Sequence, residues 1–159
     1  MINFVATATL AIGLLAAAPK APQWETSYGK ALEETRSGQD PLLVVLDKPN
    51  SKEARIEPAL LSEEKATGDN SKLLKPYRLC HVDVTTNYGQ KVAEAFHAKE
   101  FPHVAIIDKT GSMVIFHKTG KIKTAEWQEI LTSHKTGERP STTSSTKRAN
   151  CPNCQRSQF

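Results

Sequence analysis

The amino-acid sequence predicts an α/β fold, a layered sandwich built on a mixed β-sheet. Three observations carry this prediction. The run LLVVLD, residues 42–47, is unbroken Leu and Val up to its last position, as in a strand buried on both faces. Segments of strand and helix character alternate between about residue 24 and residue 134. The stretch EFPHVAIIDKTGSMVIFHKTG, residues 100–120, reads as two strands across a Gly-containing turn, which requires at least one antiparallel pairing.

The first segment, MINFVATATLAIGLLAAAPKAP, carries no charge before Lys20 and is apolar or small throughout. It is short for a membrane span and suits the apolar region of a secretory signal. Residues 1–18 are therefore expected to be a signal peptide, or an uncleaved anchor that tethers the domain outside the membrane. The expected location is periplasmic or extracellular.

Next, QWETSYGKALEETRSGQDP places Trp24, Tyr28, Ala31 and Leu32 along one side of a helix that Gly38 and Pro41 stop. The strand 42–47 follows. KPNSKEARIEPALLSEEKATGDN opens on a helix-start signal, since Asn50 can cap the first amides and Glu53 can reach back. Pro58 should kink this helix, and Gly68-Asp69-Asn70 should close it. YRLCHVDV, residues 77–84, is a second strand, and Tyr88, Val92, Ala95 and Phe96 then share one helical face. After the hairpin, TAEWQEILTSH puts Trp127, Ile130, Leu131 and His134 on one side of a last helix. Beyond it, KTGERPSTTSSTKRAN has no apolar period. The expected division is residues 1–18, a folded domain over 19–134, and a disordered basic tail over 135–159 that ends in CPNC.

Charge narrows the function. Between residues 19 and 134, sixteen Lys and Arg balance sixteen Asp and Glu, so the formal +4 of the chain belongs to the tail. A neutral domain with a mildly basic tail gives little reason to expect nucleic acid, which calls for a basic face or helix. No Gly-rich phosphate loop and no Gly-x-Ser-x-Gly elbow occurs. The acid pairs Glu33-Glu34 and Glu63-Glu64 sit at adjacent helical positions, which point to different sides and cannot act as one acid/base pair.

The order of elements, with Pro102 directly before the hairpin, resembles the thioredoxin family over roughly residues 24–134. AEAFHAKEFPHVAIIDKTGSMVIFHKTG is similar to the family's helix, cis-proline loop, strand, Gly turn and edge strand. PLLVVLD looks like its central strand, HVDV like the strand that ends in Asp, and Pro58 like its kink proline. The resemblance implies a thioredoxin-like three-layer sandwich with a central mixed β-sheet. It also implies a cis bond at Phe101-Pro102. The family's redox members carry Cys-x-x-Cys at the start of the helix after the central strand, where the helix terminus favours a thiolate. Aligned on Pro58, those positions are Asn50 and Glu53; aligned from the strand, Ser51 and Ala54. Neither register holds a cysteine. The family's buried acid would lie near Val45, which is apolar.

What the resemblance leaves is a binding surface: Phe101 and Pro102 facing Asn50 and Ser51, able to take an extended peptide as an added strand. The alternative is that Pro102 only shapes its loop. The expected partner is a protein or peptide of the exported compartment, with no cofactor, no nucleic acid, and no stable membrane association unless the first segment is uncleaved.

Thiols and imidazoles remain. Cys151 and Cys154 have three open readings: an exposed, easily reduced disulfide that exchanges with partners, half of a tetrahedral zinc site completed by another chain, or an idle pair. Used as a redox pair, they would make the chain a thiol-disulfide oxidoreductase. About sixteen intervening residues give them a reach of roughly 20–25 Å. Cys80, inside a strand, reads as core packing, or else as an exposed third thiol that attacks the tail disulfide. The histidines are His81, His97, His103, His117 and His134. His103 and His117 sit on the two hairpin strands and His81 on a neighbouring one; two of these nitrogens with Asp83 or Asp108 could gather a metal, but no spacing matches a known ligand set, and none is expected.

Overall fold

The computed structural model describes residues 23–62 and 69–138. Residues 1–18 and the pair Cys151 and Cys154 lie outside them. The elements are β1 (Trp24–Glu25), α1 (Tyr28–Gly38), β2 (Leu42–Asp47), α2 (Pro58–Leu61), α3 (Asp69–Leu74), β3 (Arg78–Asp83), α4 (Asn87–Ala95), β4 (His103–Ile107), β5 (Val114–Thr119) and α5 (Thr124–His134). The strands form one sheet in the order β1-β3-β2-β4-β5. β1, β3 and β2 run parallel, whereas β4 is antiparallel to β2 and β5 antiparallel to β4. The expected mixed sheet is thus present, turned by the hairpin.

The period of two in β2 builds both cores. Leu43 and Val45 face one side, with Leu79, Val104 and Ile106, under Trp127 and Leu131 of α5 and Leu74 of α3. Leu42, Val44 and Leu46 face the other, with Cys80, Val82 and Ala105, under Ala31 of α1 and Val92 of α4. Every residue of β2 and β4 is buried, which is why both read as apolar runs, interrupted only by Asp47 at the end of β2 and His103 at the start of β4. No helix among the described residues is long and apolar enough to cross a membrane.

Three expectations are corrected. Trp24 is not helical: it belongs to β1, opposite Leu79, and its indole Nε1 donates to the Leu61 carbonyl at 2.9 Å. The helix begins after Ser27, whose hydroxyl accepts from the Lys30 amide. It ends at Gln39, which takes the left-handed turn at φ 59°. Nor does a helix start at Asn50. Residues 48–55 form a turn, and α2 begins at Pro58, its first residue. A helix running through Pro58 would leave the Ala54 carbonyl facing the proline ring with no amide to accept. Here that carbonyl accepts from Lys48 N–H at 3.0 Å instead. Lastly, Asp69 and Asn70 open α3 and do not close a helix. Asn70 is buried, and its amide donates to the Leu60 carbonyl at 2.9 Å, joining α3 to α2.

At the carboxyl end, residues 135–138 were assigned to the tail but pack on the domain. Lys109 N–H donates to the Gly137 carbonyl at 3.3 Å, and the Lys109 ammonium meets Glu138 at 2.8 Å.

Candidate binding site at the carboxyl ends of the central strands

The carboxyl ends of β2 and β3 and the start of β4 meet at one edge of the sheet. Asp47 closes β2 with its side chain buried (2% exposed). One carboxylate oxygen accepts from the Ile56 amide at 3.0 Å, and the other lies 2.8 Å from His81 Nε2 on β3. A buried carboxylate has to be hydrogen-bonded or paired, and Asp47 is hydrogen-bonded through both oxygens. It therefore pins the 48–56 loop to the sheet from below. His81 lies edge-on to Trp24 at 6.1 Å.

The loop is otherwise closed on itself. Ser51 N–H donates to the Lys48 carbonyl at 2.9 Å, and the Ser51 hydroxyl accepts from Ala54 N–H at 3.3 Å. Asn50 is exposed at the tip. Lys48 reaches across to Phe101, its ammonium 5.3 Å from the ring centre, which brings the loop against the proline segment.

The Phe101-Pro102 bond is cis, as the resemblance implies. The Pro102 carbonyl accepts from Gly120 N–H at 2.8 Å. Neither the N–H nor the C=O of Phe101 is paired among the described residues. Beside it opens a cleft of about 210 Å³ whose walls include Lys52, Arg55, Glu57, Pro102, Lys121 and Ile122. Three cations against one acid give this edge a local positive bias that the neutral composition of the domain conceals.

Of the residues expected to bind, Pro102 lines the cleft, Phe101 borders it through its backbone, and Asn50 and Ser51 lie on the adjoining loop without lining it. Sequence reasoning missed Lys52, Arg55, Lys121 and the Asp47–His81 pair. The one available signal was Asp47 itself, a carboxylate closing an otherwise apolar buried strand.

The remaining candidates separate cleanly. Cys80 is fully buried, and burial, followed by Glu25, pushes its thiol up to about 12. That makes it core, and removes it as an attacking thiol, which would need exposure. Asp83 is engaged by the Thr85 hydroxyl and amide, and Asp108 by Thr110, Ser112 and Met113, so neither joins the histidines. His134 is buried against the Ile130 carbonyl. His103 and His117 do come together, on the opposite face of the sheet from Trp127.

No protein-family model and no curated protein matches the chain. Solved structures do. A thioredoxin from Thermus thermophilus, 18% identical, superposes with a TM-score of 0.54, covering 71% of this chain and 86% of that one. A disulphide isomerase from Xylella fastidiosa Temecula1, also 18% identical, gives a TM-score of 0.51 over 72% of this chain and 97% of that one. At such identities the likeness is one of fold, and the fold of this chain is thioredoxin-like.

Proposed function

We propose that the chain is an exported thioredoxin-like module that binds an extended protein or peptide segment without thiol chemistry at the edge where the fold's redox members place it. The unpaired backbone of Phe101 carries this reading. It offers one N–H and one C=O to an added strand, next to a cleft with side-chain recognition groups. The loop from Lys48 to Glu57 holds no cysteine and is not helical, so it neither supplies a thiol nor would activate one. Export rests on the apolar first segment, and the site needs no cofactor.

Titrating the full chain with a library of extended peptides, read by amide chemical shifts, tests the proposal. Binding peptides should shift Phe101, Lys52 and Lys121, and Lys52→Glu with Lys121→Glu should weaken them at least tenfold. A library that moves none of these signals, or binding indifferent to both substitutions, overturns it.

The second reading is a thiol-disulfide oxidoreductase that uses Cys151 and Cys154. Its support is the CPNC pair in a chain whose fold is shared with a thioredoxin and a disulphide isomerase. In that case the edge around Phe101 would be the surface the tail pair serves.

A further inference from the structure

The terminal hairpin brings two histidines together that the sequence keeps fourteen residues apart. In the β4–β5 ladder, His103 pairs with Thr119 and Ala105 with His117, so His103 and His117 are diagonal neighbours on one face. Their ring centres lie 6.0 Å apart with the planes within 14° of parallel. Phe96, just after α4, meets His103 edge-on at 6.2 Å, and Tyr28 meets Phe96 at 5.3 Å. These rings, with His97 and Thr119, line a cavity of about 440 Å³.

His103 is the anomaly. It is 3% exposed, it lines this cavity, and neither Nδ1 nor Nε2 has a hydrogen-bond partner among the described residues. Buried imidazoles are ordinarily satisfied through at least one nitrogen. His134, also buried, meets that rule through the Ile130 carbonyl at 2.9 Å. His103 has two ring nitrogens and no protein group among the described residues to use them.

We propose that His103 and His117 form a two-imidazole site for a divalent transition-metal ion of the zinc, nickel and copper group. Imidazole nitrogen binds such ions at about 2.0–2.1 Å, which sets the centres of two rings sharing one ion at most about 6.4 Å apart. The observed 6.0 Å lies within that span. A nitrogen lone pair lies in the ring plane, so the two must converge on one point. Exposed His117 is free to turn toward such a point by rotating about its ring bond. Among the described residues no carboxylate lines the cavity, which disfavours the hard, oxygen-seeking calcium and magnesium ions. Among the described residues no third His, Cys, Asp or Glu completes a cluster, so the ion keeps open positions toward the cavity. Water or a ligand donor atom would fill them.

The test uses the full chain carrying Cys151→Ser and Cys154→Ser, so that tail thiols cannot bind the metal. Zinc, nickel and copper(II) salts are titrated separately and followed by calorimetry; for diamagnetic zinc, imidazole nitrogen shifts are also recorded. One zinc ion per chain should bind and shift both His103 and His117, with affinity falling at least tenfold in His117→Ala. His103→Phe, which keeps a ring against Phe96, should abolish the site, and retention of the thermal midpoint would show that the fold survives. Absence of binding by all three ions, binding unchanged in His117→Ala, or zinc shifts confined to His81 or His97 would each overturn the proposal.

Discussion

The Oδ1 of Asp47 lies 2.8 Å from Nε2 of His81, across the parallel ladder that joins the two central strands. The register pairs Asp47 with Asp83 and Val45 with His81, so the contact runs diagonally toward the edge of the sheet. The other oxygen of Asp47 holds the Ile56 amide, which makes one carboxylate the link between sheet, loop and imidazole.

Asp47→Ala should therefore do two things. It leaves the buried Ile56 amide without its acceptor, a loss of about 1–3 kcal/mol. It also frees the 48–56 loop that borders the cleft. Asp47→Asn keeps an oxygen for Ile56 N–H and should lose less. Urea midpoints for both variants check this, and an unchanged midpoint in Asp47→Ala would contradict it.

Two glycines separate close packing from open space. A Cβ on Gly89 of α4 would stand 2.0 Å from the Asp83 carbonyl oxygen and 2.8 Å from Val84 Cα. Both are backbone atoms and cannot swing aside, so Gly89→Ala should destabilise by about 3 kcal/mol, the upper end for overpacking. A Cβ on Gly29 of α1 meets nothing within 4 Å. Gly29→Ala should stabilise by about 0.4–1 kcal/mol, because alanine has less unfolded freedom to lose. Thermal unfolding of the pair reads both signs in one experiment.

The sheet was legible because β2 and β4 are buried on both faces and so leave apolar runs. Helix α5 was legible to the residue, since Trp127, Ile130, Leu131 and His134 fall at one period. The segments 48–61 and 69–70 were not legible. A capping-box pattern at Asn50 and Glu53 is a local signal, and Pro58 together with the Asp47 carboxylate overrode it from outside the window. Trp24 failed for a related reason, as its helical spacing to Tyr28 is real while its backbone pairs with β3. Within the site, Phe101 and Pro102 were visible through a family resemblance. The cations of the cleft were not, because Lys52, Arg55 and Lys121 converge only once the loop and the turn after β5 are folded. The same holds for His103 and His117, whose meeting depends on hairpin register.

Alkaline pH should expose the buried thiol. Burial holds the Cys80 proton up to about 12, while an unfolded thiol loses it near 8.5. The folded state then binds more protons than the unfolded one, so stability falls as pH rises. The loss begins above about 8.5 and continues to about 12. Tyr77, whose hydroxyl donates to the Leu131 carbonyl at 2.6 Å, is raised by burial as well and adds to the same slope. Urea midpoints between pH 8 and 11 should decline, and less steeply in Cys80→Ala. In native protein at pH 8, iodoacetamide should leave Cys80 unmodified until urea unfolds the domain.

Thiol chemistry can arise only outside the folded edge. The positions aligned with the family's cysteines are Asn50 and Glu53, or Ser51 and Ala54, and none has a thiol. Nor would that backbone activate one: α2 starts at Pro58 and runs four residues, so no helix terminus points at the loop tip. Any dithiol activity must then come from Cys151 and Cys154, which the peptide-binding proposal leaves without a catalytic role. Insulin reduction by the full chain should accordingly be no faster than by the variant with Cys151→Ser and Cys154→Ser. A rate that exceeds this control and disappears on serine substitution would move the protein to the oxidoreductase reading. In that event Lys121→Glu should also slow the reaction, because the tail pair would be acting on a segment held at the same edge.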